Sequence, residues 1–374
     1  MSAAAAGRLV VPPHWRPEVS DIARTMVDAS SSDASDAAPR VVVGRRAAWL
    51  AAAGGGAATA WLLSDAKTPR SARLAMARQA RSRVFRLWWN GADEISDALA
   101  TMPAGARRGT HLCFFREVEA DLASDHPDLD VVRVPYAFAS PRPGKHAPTE
   151  PRIAYTSEVD ISDGCFGGLG LDDTEAEALS ARAWELAEQV VDGQLTLVGA
   201  DGVLRSASTE DERSYRVTLW AVRNRVRYLL LKAIAEAFPG RLALRGSDWR
   251  ALGFAARRTS FRRRVRMADY RRFRVSLDLG SKSTHAALYP RTADVLSVAG
   301  GIVQFDSGDP AVDGSPLRAR QAASLPALLG LVDRLLSDGE EDVVAENRGI
   351  AEWYAGVRLA SGRQLLREVA RRMA

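Results

Sequence analysis

Short apolar runs recur along the first part of the chain, at residues 58–63, 84–88, 110–115 and 129–134, and the segments between them, 71–81, 92–101 and 116–124, read as helices. Apolar runs of this length alternating with helical segments predict parallel strands joined by crossover helices. Residues 40–140 therefore read as a Rossmann-like domain. The Pro-rich stretch 140–148 neither continues a helix nor pairs as a central strand, so the link at 141–151 marks a domain boundary and 152–374 a second domain. Residues 1–39, rich in Ala, Ser and Asp, read as a partly disordered arm with a short helix at 18–29.

Beyond the boundary the rhythm resumes with a strand at 152–156, a glycine-rich loop at 163–170, and two long helices at 173–191 and 211–238 separated by a short element at 195–198. The glycines of the loop open no helix and no Lys-Ser/Thr pair follows them, so a flexible loop fits better than a phosphate-binding one. In the second helix Leu219, Val222, Val226, Leu229, Leu230 and Ile234 fall at helical spacing. Arg223, Arg225, Arg227 and Lys232 then read as its solvated face. A strand at 241–244 ends in Arg245-Gly246-Ser247-Asp248-Trp249, and an arginine-rich segment at 257–266 leads into a helix containing Asp269 and Tyr270.

The stretch 275–306 has the clearest layout. An alternating apolar run at 275–279 meets the polar turn Gly280-Ser281-Lys282-Ser283-Thr284, a helix opens at Pro290-Arg291, Gly300-Gly301 breaks it, and a second apolar run begins at Ile302. This is strand, loop, helix, strand, with polar groups gathered at strand ends, where parallel α/β folds bind ligands. The remainder reads as a helix at 317–337 with a kink at Pro326, and further helices at 340–357 and 363–373.

Composition narrows the class. The chain has 374 residues, 47% hydrophobic and 26% charged, enough to bury two cores. Its 51 Lys+Arg against 46 Asp+Glu leave +5, a small excess that suits an anionic small ligand or an anionic membrane face better than nucleic acid. Cys113 and Cys165 stand far apart with no metal-binding spacing, which argues against a disulfide framework or structural zinc and for a reducing, cytoplasmic compartment. Arg45-Arg46 before the uncharged run 47–63 has the look of an export signal or a short spanning helix. The run is mostly Ala and Gly with Gly54-Gly55-Gly56 inside it, which predicts two short elements around a glycine turn.

From residue 110 onward the order of features resembles bacterial glycosyltransferases of the GT-B fold, in particular the spore-maturation, CgeB-like group. The likeness is carried by Val131-Val132-Arg133-Val134-Pro135-Tyr136-Ala137, by Leu244-Arg245-Gly246-Ser247-Asp248-Trp249, by Asp269-Tyr270 and by the segment from Tyr289-Pro290-Arg291 to Gln304. The resemblance implies an α/β protein with two Rossmann-like domains facing a cleft, extra helices, and a nucleotide-sugar donor held by the second domain. No cofactor beyond that co-substrate is implied, and no DxD-type pair is placed for a metal. The acceptor, whether glycan, lipid-linked or protein, is open, as is peripheral contact with a membrane; nucleic acid is disfavoured as a partner.

A diphosphate leaving group gathers negative charge as the glycosidic bond breaks, and cationic side chains stabilise it. Lys282 and Arg291 are the expected cations, with His285 as a candidate base. Gly246, Ser247, Trp249, Ser281, Tyr289, Asp294 and Gln304 are expected around the donor, Gly246 by letting the backbone come close, Trp249 by flanking the base and Asp294 by holding ribose hydroxyls. Bland readings stand beside these: Arg291 and Asp294 as a surface ion pair, Trp249 as core, His285 as structural, Gly300-Gly301 as a helix stop, and Asp306-Ser307-Gly308-Asp309 as a turn rather than a cation or sugar site. Three functions remain in view: a glycosyltransferase, a non-catalytic nucleotide or glycan binder of the same fold, and a nucleic-acid-binding or nucleic-acid-modifying protein resting on the arginines of 257–266.

Overall fold

The computed structural model describes residues 8–11, 17–32, 40–43, 59–64, 82–88, 92–102, 107, 109–134, 150–207, 212–246, 248–257, 263–281, 285–298 and 300–373. The chain forms two compact units, Met1–Ser140 together with Tyr354–Ala374, and Pro141–Trp353. Each is an α/β unit built on an all-parallel sheet, so the protein has two Rossmann-like units with additional helices.

In the first unit the strands are β1 (Arg8–Val11), β2 (Arg40–Val43), β3 (Thr59–Ser64), β4 (Ser82–Trp88), β5 (Thr110–Cys113) and β6 (Asp130–Arg133), in the order β2-β1-β3-β4-β5-β6. Helices α1 (Pro17–Ser32), α2 (Ala92–Ala100) and α3 (Arg116–Asp125) accompany them. Phe85, Leu87, Leu112 and Cys113 are all buried, the pattern of strands covered on both faces.

Two expectations change here. Residues 8–11, assigned to a partly disordered arm, form β1, which pairs with both β2 and β3, so its backbone groups are satisfied on both sides, while the helix expected at 18–29 is present as α1. Ile22, Met26 and Ala29 of α1 are buried. Residues 354–373, assigned to the second domain, belong with the first unit, where Arg358 reaches Asp28 at 2.8 Å and Arg372 grips both carboxylate oxygens of Asp130 at 2.9 Å. The expected helix at 71–81, the glycines 54–56 and most of the Pro-rich link lie outside the described residues.

The second unit has β7 (Glu150–Thr156), β8 (Leu242–Arg245), β9 (Ala256–Arg257), β10 (Phe273–Asp278), β11 (Ile302–Phe305) and β12 (Gln321–Ala322), ordered β12-β11-β10-β7-β8-β9. Its helices are α4 (Asp173–Val191), α5 (Leu197–Ala207), α6 (Glu212–Ala237), α7 (Arg263–Arg272), α8 (Pro290–Leu296), α9 (Leu325–Ser337) and the first part of α10 (Glu340–Met373). A capping box between Asp172 and Glu175 starts α4. The strand order runs outward in opposite directions from the neighbouring pair β7 and β10, so the sheet reverses its winding between them. Ile153, Tyr155, Leu244, Val275 and Leu277 share one core with α4, α5 and α6.

The short element expected at 195–198 is the start of α5, an 11-residue helix whose first turn is capped by Thr196 Oγ1 accepting from the Gly199 amide at 3.0 Å. Gly199 and Gly202 inside it hid its period. Pro326 lies in the first turn of α9 behind the Ser324 cap, where a missing N–H costs nothing, and so produces no kink. The two terminal helices are one, α10, and Gly362 inside it is a packing glycine, since a Cβ there would lie 2.9 Å from Thr25 Cγ2 of α1. The loop at 163–170 is ordered into two 3-10 turns, with Phe166 buried and Arg225 donating to Asp163 at 2.9 Å. Among the described residues no helix is long and apolar enough to cross a membrane, and both cysteines are free thiols.

Candidate functional site

The site forms where the winding of the second sheet reverses, at the carboxyl ends of β7 and β10. In open parallel sheets the loops leave in opposite directions at such a point and leave a crevice for ligands. Strand β7 delivers Tyr155 and the Ser157 carbonyl; β10 delivers Asp278, Leu279 and Gly280.

Asp278 organises the loop side of this crevice. Its carboxylate is 1% exposed and accepts from the Tyr289 phenol, the Thr292 hydroxyl and Gln304 Nε2, the last at 2.9 Å. The Gln304 amide also donates to the Ala287 carbonyl at 2.8 Å, tying β11 to the loop before α8. Pro290 opens α8, which fixes the direction in which the next side chain, Arg291, leaves the backbone. The Arg291 guanidinium stands 5.2 Å above the Tyr155 ring and 5.5 Å from that of Tyr289, with Nη1 3.9 Å from Asp278 Oδ1.

A second guanidinium arrives from α6. Arg227, 1% exposed, donates through Nη2 to the Gly280 carbonyl at 2.8 Å. Its Nε and Nη1, together with Arg291 Nη1 and the Tyr155 hydroxyl, are buried with no hydrogen-bond partner among the described residues. Burial lowers the Arg227 pKa, Tyr155 opposing that effect and Arg291 adding to it. Burial also acts against the Arg291 cation, but Tyr289, Tyr155 and Asp278 outweigh it and raise its pKa. Both guanidiniums stay charged at neutral pH. A buried unpartnered donor costs about 1–3 kcal/mol, more when charged, so a protein donor set of this kind is suited to an anion that accepts from several N–H groups at once.

Beside this lies a second polar network. His285 Nε2 is 2.8 Å from Asp201 Oδ2 and 3.0 Å from Arg223 Nη2, while Asp201 Oδ1 accepts from the Tyr215 phenol and from Arg205 Nε at 3.1 Å. Burial would push the Asp201 carboxyl up, but hydrogen bonds from His285 and Tyr215 and the nearby His285 and Arg205 charges overcome it and bring the pKa down to about 2. The Ser307 hydroxyl donates to the His285 carbonyl, so this network also holds the loop between β10 and α8.

The residues expected from sequence separate into groups. Arg291 stands at the crevice, with Ser281 half-buried in the loop after Gly280. Tyr289 and Gln304 are buried and turned inward onto Asp278, Asp294 is buried within α8, and His285 is buried on Asp201. Arg291 faces Asp278, not a surface pairing with Asp294. Lys282 and Ser247 lie outside the described residues.

Trp249 is corrected from base contact to core. It is 0% exposed, its indole nitrogen donates to the Ser157 carbonyl at 2.6 Å, and its ring meets Tyr155 and Phe254 edge to face. Gly246 is required by that packing: a Cβ would fall 2.2 Å from the Ser157 oxygen and 2.5 Å from Trp249 Cδ1. The space beside Gly246 is thus filled by the protein itself. The 306–309 segment is a turn, Asp306 accepting from the Gly308 amide at 2.8 Å and Asp309 from the Ala287 amide at 2.8 Å. Among the described residues no group of three or more His, Cys, Asp or Glu side chains gathers as a metal site.

Tyr155, Arg227, Asp278, Thr292, Asp201 and Arg223 were not anticipated. For the arginines a signal was present. Arg223, Arg225 and Arg227 are two residues apart, steps of about 200° on a helix, so they cannot share one solvated face. All three are buried.

No family model matches the chain, and no curated protein does. Among solved structures, the DNA-modifying enzyme β-glucosyltransferase matches with a TM-score of 0.49 at 8% identity over 96% of this chain and 98% of that one. T4 phage BGT in complex with its UDP-glucose substrate gives the same values. A UDP-forming α,α-trehalose-phosphate synthase from Burkholderia vietnamiensis matches with a TM-score of 0.43 at 11% identity, covering 98% and 99%.

Proposed function

We propose that this protein is a glycosyltransferase that binds a nucleoside-diphosphate sugar at the carboxyl ends of β7 and β10 and passes the sugar to an acceptor hydroxyl. The observation that carries the reading is the pair Arg227 and Arg291, whose unpartnered N–H groups converge with the Tyr155 hydroxyl at the reversal point of the sheet. In the transfer the acceptor oxygen bonds to the anomeric carbon, the carbon–oxygen bond to the diphosphate breaks with its electron pair staying on the phosphate, and the hydroxyl proton passes to the departing diphosphate. Two desolvated guanidiniums beside that oxygen stabilise the charge as it develops, without reorganising. Lys282, in the loop after Gly280, is proposed as a third cation toward the same phosphates.

In this reading the leaving group is neutralised by arginine and lysine rather than by a metal. Tyr289, Thr292 and Gln304 act through Asp278 to set where Arg291 points. The CgeB-like character rests on the sequence motifs around Gly246 and Arg291.

Calorimetry and thermal shift over UDP-, GDP-, CMP- and dTDP-sugars identify the donor, since a native-state ligand raises stability by mass action. Arg291→Ala weakens the best donor at least about tenfold, the worth of one charge-assisted hydrogen bond. Equal affinity in the parent and this variant overturns the site. Binding without transfer or hydrolysis of labelled sugar overturns the enzyme in favour of a binding protein.

A further inference from the structure

A separate cluster of cations occupies another part of the second unit. Arg152, Arg245, Arg257 and Arg272 line a hollow formed by β7, β8, β9 and α7, with Phe273 beside them. Arg152 alternates along β7 with Ile153 and Tyr155, which belong to the core shared with α4 and α6. Side chains of opposite parity on a strand point to opposite faces, so this hollow and the Tyr155 side of the switch-point site are divided by the sheet.

Two of the four arginines are fixed by carboxylates. Arg245 is held in a two-point grip by Asp269, and Arg272 meets Glu150. The other two, Arg152 and Arg257, have no carboxylate partner among the described residues. Arg152 instead stands 5.0 Å over the Phe273 ring, which Arg272 approaches to 5.7 Å, so two like charges are gathered on one aromatic ring. Among the described residues Asp269 is the one acidic side chain in the wall of the hollow.

The same excess is written in the chain. Residues 257–274 hold nine arginines and one acid, Asp269, in a protein whose whole net charge is +5. Arg257 and Arg272 of this run line the hollow.

Guanidinium forks match tetrahedral oxyanions in a two-point geometry, and an arginine already oriented by a carboxylate loses little freedom on binding. Small size and a wall of forks suit a phosphate group rather than a sugar ring or a base. Both large exposed hydrophobics among the described residues, Val27 and Val198, lie outside the lining of the hollow, so none of the described residues there is offered for insertion into lipid.

We propose that this hollow is a second anion site, taking one phosphate group of a phosphate ester, with Arg152 and Arg257 as the free cations and Arg245 and Arg272 as the preset ones. It does not depend on the donor reading above.

The test uses the full chain carrying Arg291→Ala, so that the switch-point site contributes least, and compares it with the same protein also carrying R152Q and R257Q. Inorganic phosphate titrated by calorimetry at low salt binds the first and is weakened at least about tenfold in the second, as expected for two lost charge-assisted contacts. Equal affinity in both proteins, or no phosphate binding to the first, overturns the proposal. Should the triple variant lose its melting transition, R257Q alone serves, because Arg257 is exposed and makes no ion pair among the described residues; a loss of at least about threefold is then expected, and none overturns the site.

Two further probes separate the sources of the phosphate. A hexose phosphate that binds alone points to a small ester. A labelled single-stranded oligonucleotide displaced by phosphate, with affinity falling steeply between about 50 and 200 mM salt, points to a diester backbone. Either result supports the site. Binding of anionic vesicles that phosphate does not displace, with neither ester bound, overturns it.

Discussion

Arg227 and Gly280 are joined by a hydrogen bond of 2.8 Å between the guanidinium of the long helix α6 and the carbonyl that follows β10. A buried cation thereby sits on the loop that the sequence marks as a ligand loop, and it does so with two of its nitrogens unpartnered. That relationship separates binding from stability in a way mutation can read.

Replacing Arg227 by Met keeps the volume and removes a desolvated charge. Exchanging a buried ion for a hydrophobic group is often neutral or stabilising by about 1–4 kcal/mol. The melting temperature is therefore expected to hold or rise while nucleotide-sugar affinity falls about tenfold or more. A parallel loss of both, measured by thermal unfolding and calorimetry, would show that Arg227 is a structural cation only.

Asp278→Asn tests the framework. Tyr289, Thr292 and Gln304 all donate to the carboxylate, and an amide in its place puts a donor against donors. A cost of about 3 kcal/mol is expected from breaking a buried charged network, read as a lower urea midpoint at unchanged m-value. A shift below about 1 kcal/mol would mean that Asp278 is not the centre of the network.

The Asp201 network sets an acid limb. The folded-state pKa, about 2, lies below the ordinary 3.8, so this group adds stability above the ordinary value and loses it as pH falls from 3.8 through 2. The size is about 2 kcal/mol, from about 1.4 kcal/mol per pKa unit. Unfolding followed between pH 5 and pH 2 should show this loss in the parent and a flatter curve in Asp201→Asn. Superimposable curves would assign the acid limb elsewhere.

Gly246→Ala drives a Cβ into the Ser157 carbonyl and the Trp249 ring, both backed by core. Overpacking of this kind costs about 1–3 kcal/mol. The expected signature is a lowered melting temperature with near-unchanged donor affinity in the folded fraction. Lost affinity at unchanged stability would return Gly246 to the ligand.

How much was legible follows from the kind of contact involved. Strands and helices from 84 to 134, and the strand-loop-helix-strand of 273–305, follow from local period and from Pro290 and Gly300-Gly301, which act on their own neighbours. Arg291 is legible because it lies one residue beyond such a marker. Asp278 reads in sequence as part of an apolar strand, since its partners lie 11, 14 and 26 residues away and meet only when β10, α8 and β11 are assembled. Trp249 could be read as core or ligand contact until Gly246 and Ser157 were seen to enclose it.

By itself the sequence determined two parallel α/β units, the placement of polar loops at strand ends and the concentration of arginine near 257–274, because periodicity, turn chemistry and charge are properties of neighbours along the chain. Only the tertiary structure decided that β1 lies inside the first sheet between β2 and β3, that residues 354–373 return to the first unit, and that Arg227 is buried beside Arg291 at the reversal of the second sheet. Those are meetings of segments tens to hundreds of residues apart, where one favourable burial outweighs local preference and no local pattern records the partner.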